Sequence, residues 1–305
     1  NIVFSGSTNG WIPNSDIAVA DVPTILPTQK AIFAYGGTNV SNLVSSSGVV
    51  ATDITGVGTS RTSLAAASYG GDKAIFAYGS TSVSNLVSNV GVVSADVAGV
   101  GTARSELAAT EYGGDKAIVG YGTDGSNNSS LTNLISNVGV VSADVTGVGT
   151  ARTGMGAAGY GGDKGIFGYG YTGSNVSLTN LVSNVGVVSA DVSGVGSARR
   201  ALAATEYGGD KAIFGYGYTG ANVSLTNLVN NSGVVAADVT GVGTARRSLA
   251  ATSYGGDKSI FAFGNTGSAT SLSNLVSNSG VVASDVTGVG TARTSLAAAG
   301  FSFSA

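Results

Sequence analysis

The sequence of 305 residues contains no cysteine and no histidine. Disulfide bonds, thiolate nucleophiles and imidazole ligands are therefore excluded, and with them most zinc sites and the Ser-His-Asp triad. Proline is represented by 3 residues, and methionine and tryptophan by 1 each. Because the missing side chains supply much of the chemistry that enzymes use, we expect no catalytic residues, no cofactor and no bound metal.

Charged residues are also few, at 10% of the chain with a formal net charge of −3. A nucleic-acid-binding protein normally carries a basic patch, so we expect no nucleic-acid partner. No apolar run approaches the roughly 18 residues of a membrane-spanning helix, and we expect no membrane insertion. The chain is nevertheless 43% hydrophobic, which is enough for a folded core.

Glycine is abundant, with 49 residues, and valine, serine, threonine and alanine supply much of the remainder. This mixture disfavours helices and favours short strands joined by tight turns. The segment YGGDKAIFAYG at 69–79 returns in close copies that begin at 112, 160, 207 and 254. A weaker copy contains Lys30, and successive copies of this lysine are 43 to 48 residues apart. Repeats of this length are typical of propellers, solenoids and helical arrays, and the composition excludes the last.

One repeat can be divided into four strands. The first, RTSLAAASY, begins at Arg61, and a Gly-Gly-Asp turn leads to KAIFAYG; NLVSN and GVVSADV follow. All four are apolar on both faces or nearly so, which is typical of a sheet covered on both sides. The blades of a β-propeller are covered in this way by their neighbours. We therefore predict an all-β propeller, with a β-solenoid as the alternative.

The two ends of the chain predict how this propeller closes. The last repeat stops after a first strand, and NIVFSGS at the start resembles KAIFAYG. We therefore expect 1–305 to form one domain, closed by a blade that 292–305 and 1–22 share. Strand ends of the type Asp-Val or Asp-Ile occur seven times, from Asp21 to Asp285, which predicts seven blades. The remaining repeats then cover approximately 23–59, 60–102, 103–150, 151–197, 198–244 and 245–291.

An arginine that opens the first strand and an apolar second strand that ends in glycine together resemble the kelch repeat. The match covers the whole chain, but the double glycine after the second strand occurs only at Gly36-Gly37, and the usual late tryptophan is absent. The longer wording YGGDKAIFGYG, SLTNLVSN and DVTGVGTARRSLAA is similar to kelch-like proteins encoded by marine bacteriophages. This resemblance implies a virion or appendage protein.

An aspartate lies eight residues before the arginine of the following repeat in six places. We predict that each pair makes an ion pair or a side-chain bond that fixes the intervening loop; a cationic ring that recognises anions is the alternative. The predicted pairs are Asp53 with Arg61, Asp96 with Arg104, Asp144 with Arg152, Asp191 with Arg199, Asp238 with Arg246, and Asp285 with Arg293. The Asp-Lys pairs of the first hairpins are expected to be solvated turns that block edge pairing.

Glu106, Glu111 and Glu206 are the only glutamates. Two carboxyl groups could act on a glycosidic bond, but polar residues are also expected beside the wet central channel of a propeller, and we favour that interpretation. The aromatic residues of the second strand, Phe76, Phe167, Phe214 and Phe261, are predicted to fill the interfaces between blades.

Only the loop after the second strand changes in length, from 7 residues in two repeats to 11 or 12 in four. Extra residues that a scaffold does not need often carry recognition. We therefore predict a ligand-binding face with Tyr171 and Tyr218 as stacking platforms for sugars and with Asn175 and Asn222 as hydrogen-bonding neighbours. This loop and the loop after the fourth strand should share one face, opposite the hairpins.

These observations favour a non-enzymatic, virion-associated module for structure or host attachment, such as a tail fibre, an appendage or a capsid decoration. Its expected partners are other virion proteins or a glycan or receptor on the host surface, with a homo-oligomer as a further option. Its expected place is the virion surface or the extracellular space. The alternative is a secreted, lectin-like carbohydrate-binding propeller, and an enzyme that acts on polysaccharides is less favoured.

Overall fold

The computed structural model describes residues 2–4, 11–13 and 29–301, and this part of the chain contains strands and turns but no helix. Its main feature is six three-stranded antiparallel sheets, each with an inner, a middle and an outer strand. In the first sheet these are Ala297–Phe301, Lys30–Ala34 and Ser41–Val44. The arrangement is propeller-like, as the repeat predicted.

The other five sheets follow the order of the repeats. The second sheet consists of Ala65–Tyr69, Lys73–Ala77 and Ser84–Val87, and the third of Ala108–Tyr112, Lys116–Gly120 and Thr132–Ile135. The fourth consists of Gly156–Tyr160, Lys164–Tyr171 and Asn175–Val182. The fifth and sixth sheets consist of Ala203–Tyr207, Lys211–Gly215 and Thr226–Val229, and of Ala250–Tyr254, Lys258–Ala262 and Ser273–Val276.

The inner strands pack against one another in a closed cycle, in which the sixth sheet contacts the first. Just before each inner strand, one residue with a φ between +52° and +61° donates its backbone N–H to the carbonyl of its equivalent in the preceding sheet, at 2.7–3.0 Å. Ser63 donates to Ser295, and Ser295 in turn donates to Ser248. This hydrogen-bonded ring consists of Ser63, Glu106, Gly154, Ala201, Ser248 and Ser295. We call it the axial ring.

The C-terminal strand has a different partner from the one predicted. Ala297–Phe301 pairs with Lys30–Ala34, whereas Ile2–Phe4 pairs with Trp11–Pro13 in a separate two-stranded hairpin. The predicted pairing with 1–22 is therefore wrong. The physical reason is that Lys30–Ala34 repeats the KAIFA wording of Lys73–Ala77 and buries Ala31 and Phe33 completely. The described residues form six such sheets rather than seven, and Asp21, on which the seventh depended, lies outside them.

The predicted fourth strand makes contacts at two points instead of forming a continuous strand. In the second sheet, Ser84 bridges to Val97 and Val87 bridges to Val93. Between these bridges the backbone N–H of Leu86 donates to the hydroxyl of Ser94 at 2.9 Å. This bond adds to the contact but does not cause the interruption, because the first sheet has Ala51 at the same position and shows the same two isolated bridges.

Small residues line the axis and large aromatic residues fill the interfaces between sheets. Phe76, Phe167, Phe214 and Phe261 are completely buried, as predicted. Each packs against a tyrosine near the C-terminal end of the middle strand of the preceding sheet; the ring centroids of Tyr169 and Phe214 are 5.1 Å apart. Such pairs contribute about 0.5–1.5 kcal/mol beyond the burial of area.

Candidate functional site

The arginine that opens each repeat is buried between sheets and is occupied by protein groups. Arg199 is 0% exposed and donates to the carbonyls of Tyr216 at 2.8 Å and Ser197 at 3.2 Å, and to Oδ1 of Asn227 at 2.6 Å. The amide of Asn227 donates in turn to Asp238 at 2.9 Å. These arginines therefore hold the repeat together and are not available to a ligand.

The aspartates pair with a different arginine from the one predicted. Asp238 accepts from the N–H and the hydroxyl of Ser197, at 3.0 and 2.6 Å, and lies 3.8 Å from Arg199. The predicted pairing across eight residues is wrong. Each aspartate instead forms an ion pair or a longer-range electrostatic interaction with the arginine that opens its own sheet. The observed pairs are Asp53 with Arg293, Asp96 with Arg61, Asp144 with Arg104, Asp191 with Arg152, Asp238 with Arg199, and Asp285 with Arg246.

The first hairpins carry neighbouring pairs of opposite charge. Lys164 Nζ lies 3.0 Å from Asp163, and Asn184 of the second hairpin donates to the same aspartate at 3.1 Å. The backbone N–H of Gly161 donates to the carbonyl of Asp210 in the next sheet at 2.7 Å. The two hairpins of a sheet thus share one face, as predicted. Their charged side chains make contacts within the sheet, and a backbone hydrogen bond joins each first hairpin to the next sheet.

A pocket of about 360 Å³ opens at the axis on the opposite face. Its wall includes the axial ring and side chains of the residues beside it. Beneath lie apolar side chains, each about 5–6% exposed: Leu64, Leu107, Met155, Leu202, Leu249 and Leu296. The ionisable side chains in the wall are Arg200, Arg247, Glu106 and Tyr218.

Arg200 and Arg247 alternate with the two tyrosines that we predicted as ligand-binding residues. The guanidinium carbon of Arg200 lies 4.3 Å from the ring centroid of Tyr171 and 5.4 Å from that of Tyr218. Arg247 lies 4.8 Å from the Tyr218 ring. Such distances allow cation–π attraction, which orients each arginine. We call Tyr171, Arg200, Tyr218 and Arg247 the arginine–tyrosine ladder.

The predicted asparagines bind the neighbouring sheet. Asn175 donates to the carbonyl of Tyr218 at 3.1 Å, and Asn222 donates to the carbonyl of Asn265 at 3.0 Å. The oxygen of Asn222 also accepts from Arg247 at 3.4 Å. The structure therefore brings Tyr218 and Asn222 close to the pocket and gives both asparagines a structural partner, while their role in ligand binding stays a prediction.

Arg200 and Arg247 were not singled out as binding residues from the sequence, although a signal existed. The residue after the repeat arginine is Thr or Ser in four repeats and a second arginine in only two, at 199–200 and 246–247. Tyr218 lies between them because its backbone exchanges hydrogen bonds with that of Arg200, at 2.8 and 3.2 Å. The second arginine, which departs from the repeated sequence motif in two adjacent repeats, would have identified the ladder.

The other end of the axial channel contains the remaining glutamates. A Cβ placed at Gly159 would lie 3.2 Å from Oε2 of Glu206 and 3.3 Å from Oε1 of Glu111, so both carboxyl groups reach the same point. Burial and the neighbouring Glu111 raise the pKa of Glu206 to about 9. The low-polarity site and the second carboxyl group therefore favour a protonated form of this pair.

Within residues 2–4, 11–13 and 29–301, no group of three or more Asp, Glu, His or Cys side chains is arranged to hold a metal ion. The same part of the chain contains no helix long and apolar enough to cross a membrane. Comparison with known protein families finds no family model that matches the chain, and comparison with curated proteins finds no match either.

Proposed function

We propose that the chain is a non-enzymatic attachment module of a phage particle, in a tail fibre, an appendage or a capsid decoration, and that it contacts glycans of the host surface. We also infer a six-bladed kelch-like propeller as its scaffold. The observation that carries the binding role is the arginine–tyrosine ladder beside the axial pocket. Aromatic rings and planar hydrogen-bond donors around a concave site are what sugar recognition uses.

Exposed valines in the second hairpins support the proposal that this protein belongs to an assembly of many copies. One valine in each second hairpin is 61–65% exposed, and the six lie at equivalent positions: Val49, Val92, Val140, Val187, Val234 and Val281. A repeated row of exposed apolar side chains is a surface that neighbouring subunits can cover.

A secreted lectin-like module is the alternative, since the pocket alone fits it equally well. Copurification with particles favours the virion protein, and sugar binding by a free monomer favours the lectin.

The test replaces Tyr171 and Tyr218 together by Ala and measures attachment to host cells and to a glycan array. We expect attachment to fall by about fivefold to a hundredfold, because the two lost aromatic contacts are together worth roughly 1–3 kcal/mol. The matched control is Lys164→Ala with Lys211→Ala on the hairpin face, which should attach normally. Normal attachment by the tyrosine variant, with loss in the lysine variant, would place the binding surface on the hairpin face.

A further inference from the structure

Two arginines of this protein carry charges that no ion pair among the described residues neutralises. The six repeat arginines donate to carbonyl or amide oxygens or lie near an aspartate. The guanidinium of Arg200, by contrast, lies against the two tyrosine rings, and that of Arg247 lies against the Tyr218 ring and donates one long bond of 3.4 Å to Asn222. Within the described ranges, neither has a carboxylate within ion-pair distance. A half-buried guanidinium that no carboxylate neutralises is a favourable site for a ligand that supplies a charged acceptor.

The two guanidinium groups are also placed to act together. They occupy equivalent positions in adjacent sheets, and both line the pocket with Tyr218 beside them. A guanidinium stacked on an aromatic ring keeps its in-plane N–H donors free, and their fork matches the two oxygens of a carboxylate. Because the tyrosines and Asn222 already orient the arginines, little side-chain entropy remains to be lost on binding.

The other residues of the pocket wall restrict the charge, the polar groups and the size of a ligand that can bind. Two arginines face a single carboxylate, that of Glu106, so the wall favours an anion of one negative charge over a dianion. Glu106, Ser248 and Ser295 can bond to sugar hydroxyls, and the apolar residues beneath can pack against the C–H face of a pyranose ring. The volume of about 360 Å³ lies at the lower end of the range for small-molecule pockets, about 300–1,000 Å³.

We propose that the axial pocket is a subsite for a uronic-acid residue, with Arg200 and Arg247 bound to its carboxylate and Glu106 bound to its hydroxyls. This inference rests on the proposed function, because the uronate would belong to the host glycan. It makes acidic polysaccharides the preferred class of ligand.

The test is titration of the full chain with D-glucuronate, followed by isothermal calorimetry or by chemical shifts of the protein. D-Glucose serves as the neutral match, and acetate and inorganic phosphate serve as anions without a sugar ring. We expect saturable binding of glucuronate that is at least about tenfold tighter than that of glucose, which cannot form a charge-assisted bond worth roughly 1.5–3 kcal/mol. Acetate and phosphate should also bind more weakly, because they lack the sugar ring and hydroxyls that the rest of the pocket contacts.

Arg200→Gln and Arg247→Gln should each weaken glucuronate binding at least about tenfold, since a charge-assisted bond is lost. Both variants should keep the unfolding temperature of the wild type, because the replaced groups make few protein bonds. Lys211→Gln, which removes one positive charge on the hairpin face, is the matched control and should bind as the wild type does. Equal binding of glucose, acetate or phosphate, no binding of glucuronate, or unchanged binding by both arginine variants would each overturn the uronate subsite.

The two proposals fail in different ways. Suppose that attachment depends on Tyr171 and Tyr218, but that glucuronate neither binds the pocket nor inhibits attachment. This result would leave the attachment function and overturn the subsite. Glucuronate binding that depends on both arginines, in a protein that does not attach to cells, would leave the subsite and overturn the attachment function.

Discussion

Individual side chains in this protein owe their roles to their position in the repeat. Asp238 has a pKa below the usual value for an aspartate: burial alone would raise the pKa, but hydrogen bonds from Ser197 and Asn227 outweigh it. The eight-residue spacing suggested another partner because the loop that it spans has a fixed length. In a repeated sequence, any two positions joined by a segment of fixed length keep the same separation along the chain. A constant sequence separation between an aspartate and an arginine therefore cannot show that they are in contact. The true separation within the chain varies, from 35 residues for Arg61 and Asp96 to 40 for Arg104 and Asp144, since it includes the loop of changing length.

A double-mutant cycle can separate the two pairings. Arg199→Met should destabilise the protein by roughly 3–5 kcal/mol, because Asn227 and Tyr216 lose a buried donor. Asp238→Asn should cost less, and the double variant with Arg199→Met should differ from the sum by at least about 0.5 kcal/mol. With Asp191→Asn, the partner predicted from the spacing, Arg199→Met should be additive within roughly 0.5 kcal/mol. Urea unfolding measures all five variants, and coupling only with Asp191 would contradict the structure.

Among the elements, the hairpins and the buried second strands could be predicted, because their signals are local. The Gly-Gly-Asp turn before Lys73 and the apolar run from Ala74 to Ala77 appear as expected. The fourth strand could not be predicted correctly, since its apolar residues suggest a continuous strand, whereas it bridges to the outer strand at two points only, with alanine as well as with serine between them. The partner of the C-terminal strand was also beyond local signals, because both NIVFSGS and KAIFAYG fit the middle-strand pattern and tertiary packing selects between them.

Two truncations test the pairing of the C-terminal strand. Removal of 295–305 deletes the inner strand Ala297–Phe301 and one member of the axial ring, so Lys30–Ala34 loses its partner. We expect aggregation or loss of cooperative unfolding, since an unpaired strand edge is a template for association. Removal of 1–22 leaves all three strands of the first sheet and should change the unfolding temperature by only a few degrees. Aggregation of the second truncation alone would instead favour the shared blade predicted from the sequence.

At the scale of the whole molecule, the six sheets form a closed cycle around a channel, and the two ends of this channel carry different side chains. The axial ring fixes the spacing of the sheets, so a side chain at one ring-adjacent position faces a defined neighbour in the next sheet. Substitutions in the third, fifth and sixth sheets then place Glu106, Arg200 and Arg247 around one pocket. At the opposite end the same geometry brings Glu111 and Glu206 together above Gly159. The side chains of the proposed binding site are thus departures from the repeat, which a fold built on the repeat can accommodate.

The carboxyl pair makes the stability of the whole ring depend on pH. Because the folded pKa of Glu206 is about 9 and its ordinary value is 4.5, the folded state binds more protons than the unfolded state between these values. Stability must therefore fall as pH rises from about 4.5 to about 9. On the acid side the aspartates, whose pKa values are lowered in the folded state, lose their contribution as pH falls below about 4.

We expect the unfolding temperature to be highest near pH 4–5 and to decline towards pH 9. Glu206→Gln should remove most of this decline, because the amide can donate to Glu111 without titrating. Glu111→Gln should remove only part of it, since burial, the larger cause of the raised pKa of Glu206, remains. Thermal unfolding of the three proteins at pH 4–9 measures the slopes. Equal slopes in the wild type and in Glu206→Gln would mean that the two carboxyl groups do not share a proton in the channel.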